Sequence, residues 1–239
     1  MSVSSRDDAG VLTEFSLVVA AVFWGSNYAA TKFAAISLPA LTIVAFRFVV
    51  GGLLMYGVLR ILEPESKLRC RDLLPMAGLG CLGVAVVFHE GLGAGDATSP
   101  VGDLCVLLAA IGFGAYTVLS MHMLKRYSPL AVATYPTLFG APIVLAFSLP
   151  LFSGVAWENV GVGPWAAVAF SAVFATAFAF SAWQTGVSRI GANRVLVYQY
   201  LITLTGIGSG VVFFGEVLDA SKIAGGAVIL FGVYLARRR

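Results

Sequence analysis

Long apolar runs alternate with short polar stretches along nearly the whole chain, and this pattern predicts a bundle of membrane-spanning helices. A helix that crosses about 30 Å of hydrocarbon needs about 20 residues, most of them apolar. Runs of this kind recur about eight times, and the stretch Asn159–Ser188 contains no charged residue at all. The predicted helices are Phe15–Ala35, Ala40–Leu59, Leu73–Leu92, Asp103–Met123, Leu130–Leu151, Gly163–Val187, Val195–Gly215 and Ile223–Ala236.

Composition supports this interpretation and excludes other classes of protein. Of the 239 residues, 59% are hydrophobic and 11% are charged, whereas a soluble domain is about 25% charged. The three cysteines Cys70, Cys81 and Cys105 form no CxxC pair, so no disulfide framework or metal site is indicated. We therefore expect an all-α polytopic membrane protein whose surroundings are the lipid bilayer, with no bound metal, no cofactor and no nucleic-acid partner.

The basic residues of the loops fall on one side of the predicted bundle. That side receives Arg6, Arg60, Lys67, Arg69, Arg71, Lys125, Arg126, Arg189, Arg194, Arg237, Arg238 and Arg239. The other side receives only Lys32 and Lys222, at helix ends. Since short cytoplasmic loops are enriched in lysine and arginine, we expect both termini in the cytoplasm and the protein in the plasma or inner membrane. The apolar run after residues 1–14 is too long for a signal peptide, so we expect the first helix to be retained.

Two parts of the sequence resemble each other at a nearly constant distance. Ala20–Ser26 aligns with Ala109–Ala115 at an offset of 89 residues, and Pro39 matches Pro129 at an offset of 90. The two copies would cross the membrane in opposite directions, and such inverted repeats are common in secondary transporters. The predicted division is a cytoplasmic tail 1–14, a first repeat 15–92, a linker 93–102, a second repeat 103–236 and a basic tail 237–239. The first repeat then holds three helices and the second five, so two helices are missing from the first.

Several short motifs occur in the order and spacing of a known family of membrane proteins. In the first repeat they are Trp24-Gly25-Ser26-Asn27, Lys32, Pro39, Arg47 and Gly91-Leu92. In the second repeat they are Gly102-Asp103-Leu104, Tyr116, Ser128-Pro129, Gly191-Ala192-Asn193-Arg194, Gly215-Glu216 and Gly225-Gly226-Ala227. The chain thus resembles the EamA-domain branch of the drug/metabolite transporter superfamily, whose usual members have ten helices in two five-helix repeats. The resemblance implies an inverted-repeat transporter bundle with a central cavity between the repeats.

A transport pathway needs polar and aromatic side chains inside the membrane, where they replace the water that a substrate loses. The candidates for this pathway are Trp24, Asn27, Arg47, Glu90, Tyr116, Gln184, Tyr198 and Gln199. Arg47 is the cation that remains inside the membrane, away from the predicted helix ends, and a charge there is expensive and usually functional. A structural contact with Glu90 or with a helix-end carbonyl is the alternative for Arg47, and contact with lipid is the alternative for the aromatic residues.

Two further features have competing interpretations. The adjacent His89 and Glu90 offer a site for proton coupling, since histidine titrates near neutral pH, but a solvated or salt-bridged helix end explains them as well. Gly206 and Gly210 have the GxxxG spacing, which indicates close helix packing rather than chemistry.

Three functions are compatible with these observations. The resemblance implies a secondary transporter that exports small amphipathic metabolites, amino acids or drugs by alternating access. A membrane-embedded enzyme is disfavoured, because the sequence contains no HExxH, GxSxG or phosphate-binding GxxxxGK[ST] motif. The third possibility is a truncated, non-transporting protein or assembly subunit that lost two helices. A homodimer would then be one way to cover the exposed gap.

Overall fold

The computed structural model describes residues 3–92, 100–217 and 226–227, with side chains described for 10–84, 107–217 and 226–227. Seven long helices run through these residues. They are α1 (Val3–Ala34), α2 (Ala40–Leu62), α3 (Leu73–Leu92), α4 (Pro100–Leu124), α5 (Pro129–Phe152), α6 (Val162–Ile190) and α7 (Ala192–Phe214). All except α3 contain a stretch long and apolar enough to cross a membrane. The side chains in the second half of α3 lie outside the described residues.

The seven helices agree with the first seven predicted from the sequence to within a few residues, with one exception. The exception is α1, which begins at Val3 rather than at Phe15. No proline interrupts residues 3–15, so the helix continues beyond the apolar stretch that predicted it. The predicted helix Ile223–Ala236 lies outside the described residues except for Gly226 and Ala227. The prediction of eight spans and of two repeats therefore stays a prediction.

Local sequence signals explain where several helices begin and end. Ser128 caps α5, because its side-chain oxygen accepts a hydrogen bond of 3.1 Å from the backbone N–H of Ala131. Pro129 follows at the first helical position, where its missing N–H is no loss. Gly191 separates α6 from α7 with a φ of 84°, and Gly215 ends α7 with a φ of 63°. Both values lie in the left-handed region, which glycine adopts without strain.

Successive helices run between two ends of the bundle. We name the one with loops 63–72, 125–128 and 191 the basic end, and the one with loops 35–39, 153–161 and 215–217 the opposite end. The chain returns to the same end after every second helix. Hydrophobic clusters lie between the helices at different depths of the bundle. One lies towards the basic end around Leu59, Met76 and Met123. Another lies near the opposite end around Leu38, Ile43 and Val168.

Charged side chains connect helices at both ends. At the basic end, Asp72 is buried just before α3, and Arg126 and Tyr127 beyond α4 both reach it. Arg126 Nη1 lies 2.7 Å from Asp72 Oδ1, and the Tyr127 hydroxyl donates to Asp72 Oδ2 at 2.8 Å. At the opposite end, Lys32 of α1 forms an exposed ion pair of 2.7 Å with Glu216 after α7. These contacts connect the end of α3 to the end of α4, and the end of α1 to the end of α7.

The helices pack in a few main pairs. α2 packs along α5 and against α6, α3 packs against α4 and α5, and α1 packs against α6 and α7. Glycines allow some pairs to approach closely. A Cβ on Gly80 of α3 would lie 2.6 Å from the carbonyl oxygen of Pro136 in α5. A similar close approach at Gly25 brings α1 and α7 together.

Candidate functional site

An aromatic cluster fills the space between α1, α4 and α6. Trp24 of α1 is at its centre. Its ring centroid lies 5.2 Å from that of Trp183, 5.3 Å from that of Phe180 and 5.7 Å from that of Phe113. Tyr116 joins the cluster through Phe113, at 6.1 Å. The separations are those of favourable edge-on and tilted aromatic pairs. The cluster is therefore a packed aromatic wall contributed by three helices.

A hydrogen-bonded polar group adjoins this wall. Gln184 of α6 is fully buried, and its Nε2 donates to the hydroxyl of Tyr116 at 2.9 Å. Its Oε1 accepts from the hydroxyl of Ser120 at 3.1 Å. One residue earlier, the indole N–H of Trp183 donates to Thr117 Oγ1 at 3.2 Å. Buried polar side chains need such partners, so the network joins α4 to α6 and offers neutral donors and acceptors beside aromatic faces.

The middle of α6 is a π-helical segment, Ser171–Phe178. Two side chains, one from α1 and one from the segment itself, donate hydrogen bonds to its carbonyl oxygens. The indole N–H of Trp24 donates to the carbonyl of Ala175 at 2.6 Å, and the Thr176 hydroxyl donates to the carbonyl of Ser171 at 2.9 Å. π-Helical segments often occur at functional sites. Here the segment orients Trp24, the central residue of the aromatic cluster.

Two more contacts hold this segment against its neighbours. The Ser171 hydroxyl donates to Asn27 Oδ1 of α1, and Asn27 is buried. On the other side, a Cβ on Gly51 of α2 would lie 2.7 Å from Thr176 Cγ2. The π-helical segment thus contacts both α1 and α2, and Trp24 links it directly to the aromatic cluster.

Arg47 is a buried cation next to the same cluster. Its side chain lies in α2 and is 4% exposed. The guanidinium carbon is 5.4 Å from the ring centroid of Phe48, and Phe48 in turn is 6.4 Å from Phe180. Arg47 therefore lies within two aromatic contacts of the wall that Trp24 centres, which is the position expected of a charge that faces the bundle interior.

The remaining candidates differ in where the structure places them. Tyr198 of α7 is half-buried and packs against the cluster of Leu17 and Trp183. Gln199 is half-buried, and its backbone carbonyl accepts a hydrogen bond from the Thr203 hydroxyl at 3.4 Å. The side chains of His89 and Glu90 lie outside the described residues. Their proposed proton coupling, and the pairing of Glu90 with Arg47, stay predictions.

A groove opens to the surface between α1 and α6, towards the basic end. Its volume is about 300 Å³. Hydroxyl groups and one arginine line it together with apolar side chains, namely Leu12, Thr13, Ser16, Phe178, Ser181, Ala182, Thr185 and Arg189. Arg189 Nη1 donates to Thr13 Oγ1 at 3.0 Å. The groove runs along α6 from Phe178, at the end of the π-helical segment, to Arg189 near the basic end.

Sequence reasoning found part of this site and missed part. Trp24, Tyr116 and Gln184 lie in the aromatic cluster and its hydrogen-bonded network, and Asn27 contacts the neighbouring π-helical segment; their part in a transport pathway stays a prediction. Their partners Phe113, Ser120, Phe180 and Trp183 were missed, because they lie in apolar runs where lipid contact is equally compatible with the sequence. The GxxxG spacing predicted helix packing, and Gly206 does lie against Tyr28 of α1, whereas the nearest side chain to Gly210 is that of Glu216.

These features define a class of protein: an all-helical, multi-pass membrane protein with a polar and aromatic site inside its bundle. The family model described as "EamA-like transporter family" matches residues 11–98 and 100–238. The chain therefore belongs to the EamA-like transporter family. Membership confirms the resemblance seen in the sequence and the expectation that the protein is not an enzyme.

Individual relatives agree with this assignment. The chain is 29% identical over 136 residues to the uncharacterized transporter YyaM of Bacillus subtilis (strain 168). This alignment covers 56% of the chain and 44% of YyaM. The chain is 28% identical over 157 residues to a probable terminal-alkyne amino-acid exporter of Streptantibioticus cattleyicolor, with 66% of this chain and 51% of the exporter covered. The chain thus matches about half the length of these relatives. A protein of known crystal structure shares 17% sequence identity with this chain, and the two structures superimpose with a TM-score of 0.62. The superposition covers 96% of this chain and 99% of the other chain, which supports the fold.

Proposed function

We propose that this chain is a secondary transporter of the plasma or inner membrane, with both termini in the cytoplasm, that exports small amphipathic metabolites, amino acids or drugs. One observation carries the proposal: an aromatic wall and a buried hydrogen-bonded network meet where α1, α4 and α6 converge. Membership of a transporter family supports it, as does the similarity to a probable amino-acid exporter. The basic end of the bundle would be the cytoplasmic end.

The site suits a substrate with an apolar body and a polar group. The rings around Trp24 offer faces for the apolar part, and the amide of Gln184 offers both a donor and an acceptor for the polar part. Gln184 and Trp183 are buried almost completely, so the described conformation is closed at this point. Binding requires α4 and α6 to separate, and a substrate would then replace the hydrogen bonds that Gln184 makes to Tyr116 and Ser120.

We propose that the two ends of the site open in turn, as in alternating access. The groove between α1 and α6 is the candidate entrance from the cytoplasmic side, since it reaches from the π-helical segment Ser171–Phe178 to Arg189. The π-helical segment is the candidate hinge, because two of its carbonyls are bound by side chains rather than only by its own ladder. Bending there would move the part of α6 that follows the segment, Ala179–Ile190, relative to Trp24.

The arrangement of helix pairs supports two inverted repeats. In two such repeats α1 is equivalent to α4, α2 to α5 and α3 to α6. When each helix is replaced by its equivalent, the contact of α1 with α6 becomes the contact of α4 with α3. The same replacement converts the contact of α2 with α6 into that of α5 with α3, and leaves the pair of α2 and α5 in place. All of these contacts occur. In this interpretation, α7 belongs to the second repeat and its counterpart in the first repeat is one of the two missing helices.

The test is protection of cells by overexpression. Cells that produce the chain are challenged with a panel of amino acids, amino-acid analogues and toxic amphiphiles, and membrane insertion is verified in parallel. We expect protection against at least one compound. We expect Gln184→Leu and Trp24→Leu to abolish it at unchanged abundance, since each removes one part of the site. The matched control is Trp165→Leu, because Trp165 belongs to a separate aromatic group with Phe46 and Trp157 near the opposite end.

A direct measurement follows for any compound found. Uptake of that compound into inside-out vesicles should be similar for the parent protein and Trp165→Leu. It should be lost in Gln184→Leu and Trp24→Leu. Protection by none of the compounds despite normal insertion would overturn the proposal and favour the non-transporting subunit. Full activity in both Gln184→Leu and Trp24→Leu would remove the cluster from the pathway.

A further inference from the structure

A pair of small residues separated by one helical turn lets α1 and α7 pack closely. The pair is Ala21 and Gly25. The Thr205 hydroxyl of α7 donates to the carbonyl of Ala21 at 3.0 Å, and the Ser209 hydroxyl donates to the carbonyl of Gly25 at 3.2 Å. A Cβ on Gly25 would lie 2.6 Å from Thr205 Cβ and 2.7 Å from the nitrogen of Gly206. In α1 this pair is therefore a helix-docking surface, and it is occupied.

The same pair recurs in α4 as Ala110 and Gly114, at the 89-residue offset that relates the two helices. Here it is open. A Cβ on Gly114 would meet no atom of the described residues within 4 Å, and Ala110 is exposed. If the two halves are inverted repeats, the helix that would cover this pair is one that the first half lacks. The described part of the chain thus contains one docking surface with its partner and an equivalent surface without one.

Larger exposed side chains extend the open pair into a continuous stripe. Leu107, Ile111 and Val118 are all exposed, and together with Gly114 they follow one another at spacings of four, three and four residues. At 3.6 residues per turn, such positions lie on one side of a helix. We name this stripe, with Ala110, the α4 surface. It has large side chains at both ends, and the small residues Ala110 and half-buried Gly114 near its centre.

We propose that the α4 surface is the interface of a homodimer, in which α4 of one chain packs against α4 of a second copy. A second copy has the same membrane orientation, so a two-fold axis along the membrane normal brings the two stripes face to face. Small residues one turn apart let two helices approach closely within lipid, and the occupied pair in α1 shows that this chain uses them so. Contact with lipid alone accounts for exposed leucines but does not require a small residue at the centre.

Disulfide crosslinking in membranes tests this interface without any measurement of transport. Cys70, Cys81 and Cys105 are first replaced by serine, and a single cysteine is then introduced as Val118→Cys or Leu119→Cys. These neighbours share the same depth and are 51% and 54% exposed, but they point about 100° apart on the helix. We expect a crosslinked dimer with Val118→Cys and little or none with Leu119→Cys.

A second variant separates loss of the dimer from loss of folding. In Gly114→Leu the new Cβ has 4 Å of open space around it in the part of the chain that the structure describes, so the chain should insert and fold normally. In the Val118→Cys background we expect it to abolish the crosslink. Equal crosslinking at both positions would indicate random collisions and overturn the proposal. Absence of the Val118→Cys crosslink in a folded protein would also overturn it and leave lipid as the occupant.

Discussion

The close approach of α1 and α7 makes Gly25→Ala a sharp test of the packing described here. The new Cβ would lie 2.6 Å from Thr205 Cβ and 2.7 Å from the nitrogen of Gly206, and closer still to the Thr205 hydroxyl oxygen. Carbon atoms in contact are normally about 3.5–4.0 Å apart. The two helices must therefore separate by about 1 Å, since the Gly206 nitrogen belongs to the backbone and cannot rotate away.

The expected loss follows from three contributions. Overpacking costs about 1–3 kcal/mol. A separation of about 1 Å breaks the hydrogen bonds from Thr205 to Ala21 and from Ser209 to Gly25, now 3.0 and 3.2 Å long, and such bonds contribute about 0.6 kcal/mol each in membranes. The replacement of glycine by alanine in a helix returns at most about 1 kcal/mol. We expect Gly25→Ala to lower the free energy of unfolding by about 1–3 kcal/mol.

The assay is unfolding of the purified protein by sodium dodecyl sulfate in mixed micelles, followed by circular dichroism. The matched control is Gly57→Ala in α2, where a Cβ would meet no atom within 4 Å. This control should leave stability unchanged or raise it by up to about 1 kcal/mol. Equal unfolding free energies for the two variants would refute the close packing of α1 against α7.

Two further predictions concern the charged contacts at the ends of the bundle. The hydrogen bond from Tyr127, helped by the charge of Arg126, holds the pKa of Asp72 below its ordinary value although burial opposes this. The stabilisation by Asp72 should therefore be complete above about pH 4 and be lost as the pH falls through the lowered pKa, and Asp72→Asn should remove this part of the pH dependence of unfolding. At the opposite end, Lys32 and Glu216 are exposed, so Glu216→Gln should change the free energy of unfolding by less than about 1 kcal/mol; a larger loss would show that this pair holds α1 to α7.

The helices were predictable because the requirement that defines them is simple. A span needs about 20 apolar residues, and punctuation such as Ser128-Pro129 or Gly191 marks its ends in the sequence. The extension of α1 to Val3 was not predictable in this way. Apolar content shows where a helix can lie in lipid, but it does not limit how far the helix continues into water.

The partners of the site residues were harder to predict, and the π-helical segment explains part of the difficulty. A periodicity of 3.6 residues assigns faces correctly only along an unbroken α-helix. Each residue added to a turn rotates everything after it by about 100°, so the segment Ser171–Phe178 changes which face Phe180, Trp183 and Gln184 present. The residues around it are small or apolar and include no proline or glycine, so no local signal announces the change.

Inside a membrane, the informative residues are those that lipid cannot satisfy. An exposed leucine in α4 needs no explanation in hydrocarbon, and neither does a phenylalanine in α6. Gln184 and Arg47 do need partners, since a polar group without one is expensive there, and they mark the interior site. Gly114 is informative for a different reason: its repeat-related residue Gly25 has a helix against its bare backbone. The candidate pathway and the candidate interface are thus both identified by residues that contact with lipid does not account for.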